Sequence, residues 1–291
     1  ESDEIALRAA FSGPPPPPAQ RYWRGPVLTR FDGREWHAEP AAESASPRYT
    51  PQGERIDYLL TIEPHQRRWL IALEHPGPSR PPIRYTGDLR ALAAEPLRAR
   101  ARFALGAYPH TPVGVAESPA VLASATTLPA DSNPRSRRLA AELAAGARDH
   151  AEILERVLAR LRALRLAYTL RPPLLGRHAA DEFLFDARRG FCEHFASAFA
   201  VLMRAAGVPT RIVTGYQGGE INPIDGQLVV RQSDAHAWTE VWLQGRGWLR
   251  VDPTALAAPE RIDGGLAAAL ADAGELPLML RADMAWLRGL R

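Results

Sequence analysis

The sequence predicts an α+β fold in which one buried helix packs against an antiparallel sheet, with a smaller β-rich region before it. Small and apolar residues run from Cys192 to Ala206 and stop at Gly207, which is typical of a buried helix with a glycine at its carboxyl end. Strand-like segments follow this helix, and short ones separated by prolines and glycines precede it. These observations together set the fold class.

The amino-terminal region, residues 1–125, is predicted to be a small β-rich domain. Five consecutive prolines at 14–18 favour an extended polyproline helix that acts as a spacer or a strap. Asp32-Gly33 is a hairpin-type turn, and residues 56–62 read as a strand. We see no catalytic constellation in this region.

Residues 126–262 are predicted to form the second, α+β domain, and residues 263–291 a carboxyl-terminal helical extension. Asn133 followed by Pro134 indicates a helix start, with asparagine as the cap and proline at the first helical position. A further helix carries apolar residues at helical spacing between 153 and 164, and this stripe indicates core packing.

The strands predicted after the buried helix are residues 211–216, 228–232, 235–243 and 248–252. A three-residue loop, 244–246, would pair Leu243 with Gly247 and place Asp252 diagonal to His236 on the same face. A two-residue turn would move Asp252 to the opposite face. The relation between these two side chains therefore depends on the length of one loop.

The amino-acid composition and the net charge narrow the range of functions that this protein can have. The chain of 291 residues is 46% hydrophobic and 24% charged, which is ordinary for a folded protein. Its 36 basic residues are all arginine, its net charge is +3, and it has no basic run, so nucleic acid is not an expected partner. No segment reads as a signal peptide or membrane span. Because the chain starts at Glu1, we expect a processed protein or an excised soluble piece of a longer one.

The single cysteine, Cys192, excludes an internal disulfide and a cysteine-rich zinc site. At the first turn of the buried helix its thiol would be favoured as thiolate by the helix dipole and the free N–H groups. A nucleophilic cysteine needs a base and an orienting acceptor, and His236 and Asp252 are the candidates. His194 is expected to be structural, while Asp234 is the alternative orienting group.

Four segments carry a family resemblance: Arg189-Gly190-Phe191-Cys192-Glu193-His194-Phe195-Ala196, Gly207-Val208-Pro209-Thr210-Arg211, Asp234 to Trp242 (DAHAWTEVW) and Gly247 to Thr254 (GWLRVDPT). In this order they resemble the core of the transglutaminase-like superfamily. Residues 22–25 (YWRG) and 31–36 (FDGREW) resemble the membrane-anchored bacterial transglutaminases of the TgpA type.

The resemblance implies a papain-like core, a Cys192–His236–Asp252 triad, and transfer of a glutamine γ-acyl group through a thioester to an amine. It also implies a periplasmic domain of an inner-membrane protein. Trp238 and Tyr216 are the expected substrate-binding residues, with Trp238 a candidate second oxyanion donor. No cofactor and no metal are expected, because the histidines lack paired-ligand spacing and no acidic cluster suits calcium.

Two other functions stay open at this stage. The same triad would serve a cysteine peptidase or amidase if water outcompetes amines. A non-catalytic binding module could also keep this core. Since the chain has no lysine, it cannot cross-link itself through an ε-amine, and any amine acceptor comes from elsewhere.

Overall fold

The computed structural model describes residues 3–259. The predicted carboxyl-terminal helical extension, 263–291, lies outside the described residues. The strands before the first helix are β1 (Ile5–Phe11), β2 (Tyr22–Leu28), β3 (Arg30–Phe31), β4 (Trp36–His37), β5 (Glu43–Ser44), β6 (Ile56–Ile62), β7 (Ala72–Leu73), β8 (Pro76–Arg80), β9 (Arg84–Thr86), β10 (Ala91–Leu92) and β11 (Ala101–Ala107).

The helices are α1 (Pro119–Ser124), α2 (Pro134–Ala144), α3 (His150–Leu164), α4 (Ala179–Asp181) and α5 (Cys192–Ala205), with a π-helical segment at Glu182–Ala187. The later strands are β12 (Ala167–Tyr168), β13 (Arg189–Gly190), β14 (Thr210–Gln217), β15 (Glu220–Ile221), β16 (Leu228–Arg231), β17 (Ala235–Leu243) and β18 (Gly247–Val251). Short 3₁₀ turns lie at Pro18–Gln20, Gln232–Asp234 and Pro253–Leu256.

The two main sheets exchange strands between the predicted domains. One sheet has the order β18-β17-β14-β2-β7, so the early strands β2 and β7 extend the sheet of the later region. The other has the order β15-β16-β1-β6-β11-β8, so the late hairpin β15–β16 joins the amino-terminal sheet. The boundary at residue 125 stays a prediction, and the hydrogen-bonded sheets cross it in both directions.

Helix α5 is the buried helix that the sequence predicts. Most of its side chains are buried, and it packs against β14 and β17. It ends where expected: Gly207 has a φ of +81°, and the Val208 N–H donates to the Met203 carbonyl at 2.9 Å. The start of α5 at Cys192 is thereby fixed over the sheet.

The pairing of β17 with β18 confirms the register that a three-residue loop predicts. Leu243 pairs with Gly247, and Thr239 pairs with Val251, as the three-residue loop requires. Asp252 follows directly, and its side chain caps the 3₁₀ turn Pro253–Leu256. The carboxylate of Asp252 therefore lies on the His236 face of the sheet.

The start of α2 departs from the expected cap. Asn133 precedes the helix but has a φ of +48°, and its side chain accepts no N–H of α2. The Asp181 carboxylate caps α2 instead, accepting from the Arg135 N–H at 2.8 Å and the Ser136 N–H at 2.7 Å. A residue 45 positions away thus replaces the local cap.

The proline run acts as a strap. The Pro16 carbonyl accepts from Arg21 Nε at 2.7 Å, and the Pro18 carbonyl accepts from the Gln217 side-chain amide at 3.1 Å. The strap therefore binds to the end of β14. None of the described helices has both the length and the apolar character needed to cross a bilayer.

Candidate active site

The centre of the site is the pair His236 and Asp252. His236 is the second residue of β17 and is fully buried, and its Nε2 lies 2.7 Å from Asp252 Oδ2. The other ring nitrogen, Nδ1, is also buried and has no hydrogen-bond partner among the described residues. The histidine is thus anchored at one nitrogen and leaves the other for a second group.

Asp252 is held as an anion by three donors. Its Oδ2 accepts from the Tyr22 hydroxyl at 2.8 Å as well as from His236, and its Oδ1 accepts from the Thr254 N–H at 3.0 Å. Burial alone would raise the pKa of Asp252, but His236, Tyr22 and the Thr254 N–H together lower it below its usual value. The carboxylate can therefore orient His236 and stabilise its protonated form.

Tyr22 is a residue of the site that sequence reasoning missed. It lies on β2, 230 positions before Asp252, and the only sequence signal was its place in the YWRG motif. The Arg250 guanidinium lies 3.9 Å from the centre of the Tyr22 ring, and Glu74 pairs with Arg250. Burial and the charge of Asp252 raise the pKa of Tyr22, so its hydroxyl stays a donor.

Cys192 is the first residue of α5, and its side chain is buried. It belongs to a cluster of buried residues with Ala196 of α5, Ile212 of β14 and Ala237 of β17. Ala237 is the residue after His236, so the helix start lies against the strand that carries the histidine. The dipole of α5 favours the thiolate at this position.

The structure places the two rival residues in local roles. His194 Nδ1 accepts the Phe191 N–H at 3.4 Å and so closes the first turn of α5. Asp234 Oδ2 accepts the Arg231 N–H at 2.8 Å in the turn before β17. A structural role for His194 stays a prediction that this contact supports, and the carboxylate that lies 2.7 Å from His236 is that of Asp252.

A cavity of about 670 Å³ borders the start of α5, and we call it the α5 cavity. Its walls come from the β3–β4 hairpin, Trp69, the α4 region, α5, β14 and β17. Three residues of the Cys192 cluster, Ala196, Ile212 and Ala237, line it. The cavity therefore borders the same part of α5 and β17 as the buried cluster that contains Cys192.

Glu193, the residue after the cysteine, lines the α5 cavity. Its Oε1 is buried and accepts no hydrogen bond from any described residue. Burial raises the pKa of Glu193 to about 7. No local pattern singles Glu193 out, because the cavity that it lines is formed by distant segments.

Trp238 and Tyr216, the expected substrate-binding residues, do not line the α5 cavity. Trp238 is fully buried and stacks on His236 with a ring-centre distance of 6.3 Å; its indole N–H has no partner among the described residues. The Tyr216 hydroxyl donates to Gln232 within the amino-terminal core. Both side chains are thus buried, and the substrate contacts expected of these two residues stay predictions.

A buried ion cluster lies on the same face of β17. Glu240 accepts from Arg24 of β2 and from Arg211 Nε of β14, the latter at 2.7 Å. Burial alone would raise the pKa of Glu240, but the two arginines lower it to about 2. This cluster ties β2 to β14 and β17 below the histidine. Within residues 3–259, no group of His, Cys, Asp or Glu side chains is arranged to hold a metal ion.

The chain was compared with known proteins. The model of the transglutaminase-like superfamily matches residues 137–253, and the model of the TgpA N-terminal domain matches residues 1–114. The crystal structure of the periplasmic domain of TgpA from Pseudomonas aeruginosa is 39% identical, with a TM-score of 0.88 over 91% of this chain and 93% of that chain. The chain belongs to the transglutaminase-like superfamily. Its family and its α+β fold, a transglutaminase-like core with a β-rich amino-terminal region, are therefore as the sequence predicts.

Two further relatives agree with this assignment. A second structure of the TgpA periplasmic domain, bound to ethylmercury, matches with a TM-score of 0.86 and 39% identity over 90% of this chain and 94% of that chain. Protein-glutamine gamma-glutamyltransferase from Pseudomonas aeruginosa PAO1 is 39% identical over 299 residues, covering 100% of this chain. The chain spans 44% of the length of that relative. This transglutaminase-like chain is thus homologous to part of a named transferase.

Proposed function

We propose that this transglutaminase-like domain transfers the γ-acyl group of a glutamine side chain to an amine, through a thioester on Cys192. His236 acts as acid and base, and Asp252 orients it. The observation that carries the proposal is the buried His236 Nε2–Asp252 Oδ2 contact of 2.7 Å, which leaves Nδ1 without a partner among the described residues. A homologue named protein-glutamine gamma-glutamyltransferase supports the substrate class.

Acylation begins with the Cys192 thiolate and the His236 imidazolium. The sulfur attacks the carboxamide carbon, and a tetrahedral oxyanion forms near the start of α5, where backbone N–H groups can stabilise it. His236 gives its proton to the nitrogen, the C–N bond breaks, and ammonia leaves. The products of this step are a thioester and a neutral histidine.

Deacylation reverses the roles. The nitrogen of an amine attacks the thioester carbon while neutral His236 accepts a proton from it. The C–S bond then breaks, an isopeptide or substituted amide is released, and the thiolate–imidazolium pair returns. Asp252 stabilises the imidazolium in both half-reactions, because its pKa is held low and it stays ionised at neutral pH.

The proposal extends to location. The TgpA structures are of a periplasmic domain, and we propose that this domain also acts in the periplasm as part of a membrane-anchored protein. A fusion of the full-length protein to reporters active on only one side of the inner membrane tests this. Reporter activity confined to the cytoplasmic side would contradict it.

The test of the reaction uses a glutamine peptide and a fluorescent primary amine. We expect the unaltered chain to release ammonia and incorporate the amine, and Cys192→Ala to lose both while keeping its fold by circular dichroism. His236→Ala should also lose both, whereas His110→Ala, at an exposed histidine, should keep them. Turnover by Cys192→Ala would exclude the thioester route.

The same assay separates acyl transfer from proteolysis. Mass spectrometry of the peptide shows either a modified glutamine or a cut backbone. Backbone cleavage without amine incorporation would assign the site to a cysteine peptidase instead.

A further inference from the structure

We propose that the α5 cavity binds the acyl acceptor as a cationic primary amine, with the Glu193 carboxylate as the group that recognises its charge. This inference rests on the proposed acyl transfer and names its second substrate. It starts from a buried carboxylate oxygen of Glu193 that has no hydrogen-bond partner among the described residues; Glu193 directly follows Cys192 and lines the cavity.

An unpaired buried carboxylate oxygen is costly, and native proteins seldom keep one without a ligand, a water or a role. Glu193 is in the first turn of α5, directly after Cys192, and it lines the α5 cavity. An ammonium group in the cavity would supply the missing donor. The same contact would hold the amine nitrogen beside the residue that carries the thioester.

The walls of the α5 cavity fit an aliphatic amine. The indole rings of Trp36 and Trp69 line the cavity and provide aromatic surface for an alkyl chain. The Trp36 indole N–H donates to Ser197 Oγ at 3.0 Å, and this bond holds Trp36 against α5. The cavity therefore has a defined apolar wall as well as a charged one.

The charges that face the α5 cavity favour a cation. Its ionisable lining residues are Arg34, Glu35, His37, His194 and Glu193. Burial lowers the pKa of His194, so this histidine is neutral near pH 7. The exposed side chains of Arg34 and Glu35 carry opposite charges at the rim, so the negative charge inside the cavity is that of the Glu193 carboxylate.

The proton balance of the step follows from this placement. The acceptor enters as R–NH₃⁺ and transfers one proton to the Glu193 carboxylate, which later loses it to solvent. The nitrogen lone pair attacks the thioester carbon, the C–N bond forms and the C–S bond breaks. The second proton passes to His236, and Cys192 leaves as thiolate. Because burial raises the pKa of Glu193 to about 7, its carboxyl can accept and release a proton near neutral pH.

The experiment compares two nucleophiles on the unaltered chain, Glu193→Gln and Glu35→Gln. Dansyl-cadaverine is a cationic amine, and hydroxylamine is uncharged at neutral pH. An activated aryl ester of a γ-glutamyl group serves as the acyl donor, so that departure of ammonia does not limit the rate. Glu35→Gln is the matched control, because Glu35 is an exposed carboxylate on the rim of the same cavity.

Glu193→Gln should raise the KM for dansyl-cadaverine about tenfold or more, the loss expected for a hydrogen bond to a charged group. Its kcat/KM for hydroxylamine and its KM for the donor should stay within about twofold, which also shows that the variant folds. The ratio of kcat/KM for dansyl-cadaverine in the unaltered chain to that in Glu193→Gln should fall as pH drops below about 7, because protonation removes the charge of Glu193 and the titration of the amine cancels in this ratio.

Other results overturn the inference in distinct ways. An equal effect on both nucleophiles, or an equal effect of Glu35→Gln, would remove the specific role of Glu193. A raised KM for the donor alone would assign the α5 cavity to the glutamine substrate. If the unaltered chain neither forms a thioester nor incorporates any amine, the proposed function itself fails, and the acceptor site fails with it.

Discussion

Removal of one hydroxyl group tests whether β2 completes the site. Tyr22→Phe keeps the ring that packs against Trp238 and Arg250 and deletes only the 2.8 Å hydrogen bond to Asp252. A hydrogen bond to a buried charged group contributes roughly 1.5–3 kcal/mol. Without this donor the pKa of Asp252 should rise toward its usual value.

The sign of the pH dependence follows from the lowered pKa of Asp252. A carboxyl whose pKa is lower in the folded state stabilises the fold above its unfolded value, and this contribution disappears as pH falls through the folded value. Tyr22→Phe should therefore lower the free energy of unfolding by roughly 1.5–3 kcal/mol at neutral pH. As pH falls below the usual carboxyl pKa of about 4, the difference from the unaltered chain should shrink.

The assay is urea unfolding at a series of pH values, with Tyr85→Phe as the matched control. The Tyr85 hydroxyl donates to the neutral Gly77 carbonyl at 2.5 Å, so its loss should cost about 0.5–1.5 kcal/mol with no dependence on acid pH. A pH-independent loss in Tyr22→Phe, or one below about 0.5 kcal/mol, would refute the reasoning.

Two further predictions concern residues that support the site. Glu240→Gln leaves two buried arginines without their counter-charge, so the free energy of unfolding, measured by urea titration, should fall by about 3–5 kcal/mol. The control is Glu63→Gln in a surface cluster, which should cost less than about 1 kcal/mol. An equal loss in both would contradict the importance of burial. Gly215→Ala would place a Cβ 2.0 Å from the Trp23 carbonyl oxygen, so the free energy of unfolding, measured by thermal unfolding, should fall by more than about 3 kcal/mol. The control is Gly13→Ala, which has open space around it and should leave the stability nearly unchanged. A stable, unshifted Gly215→Ala would show that β2 and β14 can move apart.

Much of the local structure follows from the sequence. The run of small residues after Cys192 and the stop at Gly207 predict α5, and the alternation in 235–243 predicts β17. The length of the loop 244–246 predicts the pairing of Leu243 with Gly247. Helical period, strand period and turn length are properties of neighbouring residues, so a single sequence contains them.

Contacts between side chains from distant segments could not be predicted from the sequence. Asn133 has the sequence of a helix cap, yet Asp181 caps α2, because the competing carboxylate arrives from another part of the fold. Trp238 packs against His236 and Tyr216 packs in the amino-terminal core, and neither neighbour could be predicted from the adjacent residues. A local sequence pattern does not show which of two possible hydrogen-bond partners contacts a group in the folded protein.

The sequence by itself predicted α5 and β17, and it left two loop lengths that place Asp252 on opposite faces of the sheet; the structure has the three-residue loop. Tertiary structure alone decided that Tyr22, from a different predicted domain, donates to Asp252, and that the α5 cavity surrounds Glu193. The physical reason is that strand exchange between the two sheets fixes these contacts. Pairing of strands far apart in the chain depends on shape and burial across the whole molecule, which no short stretch of residues specifies.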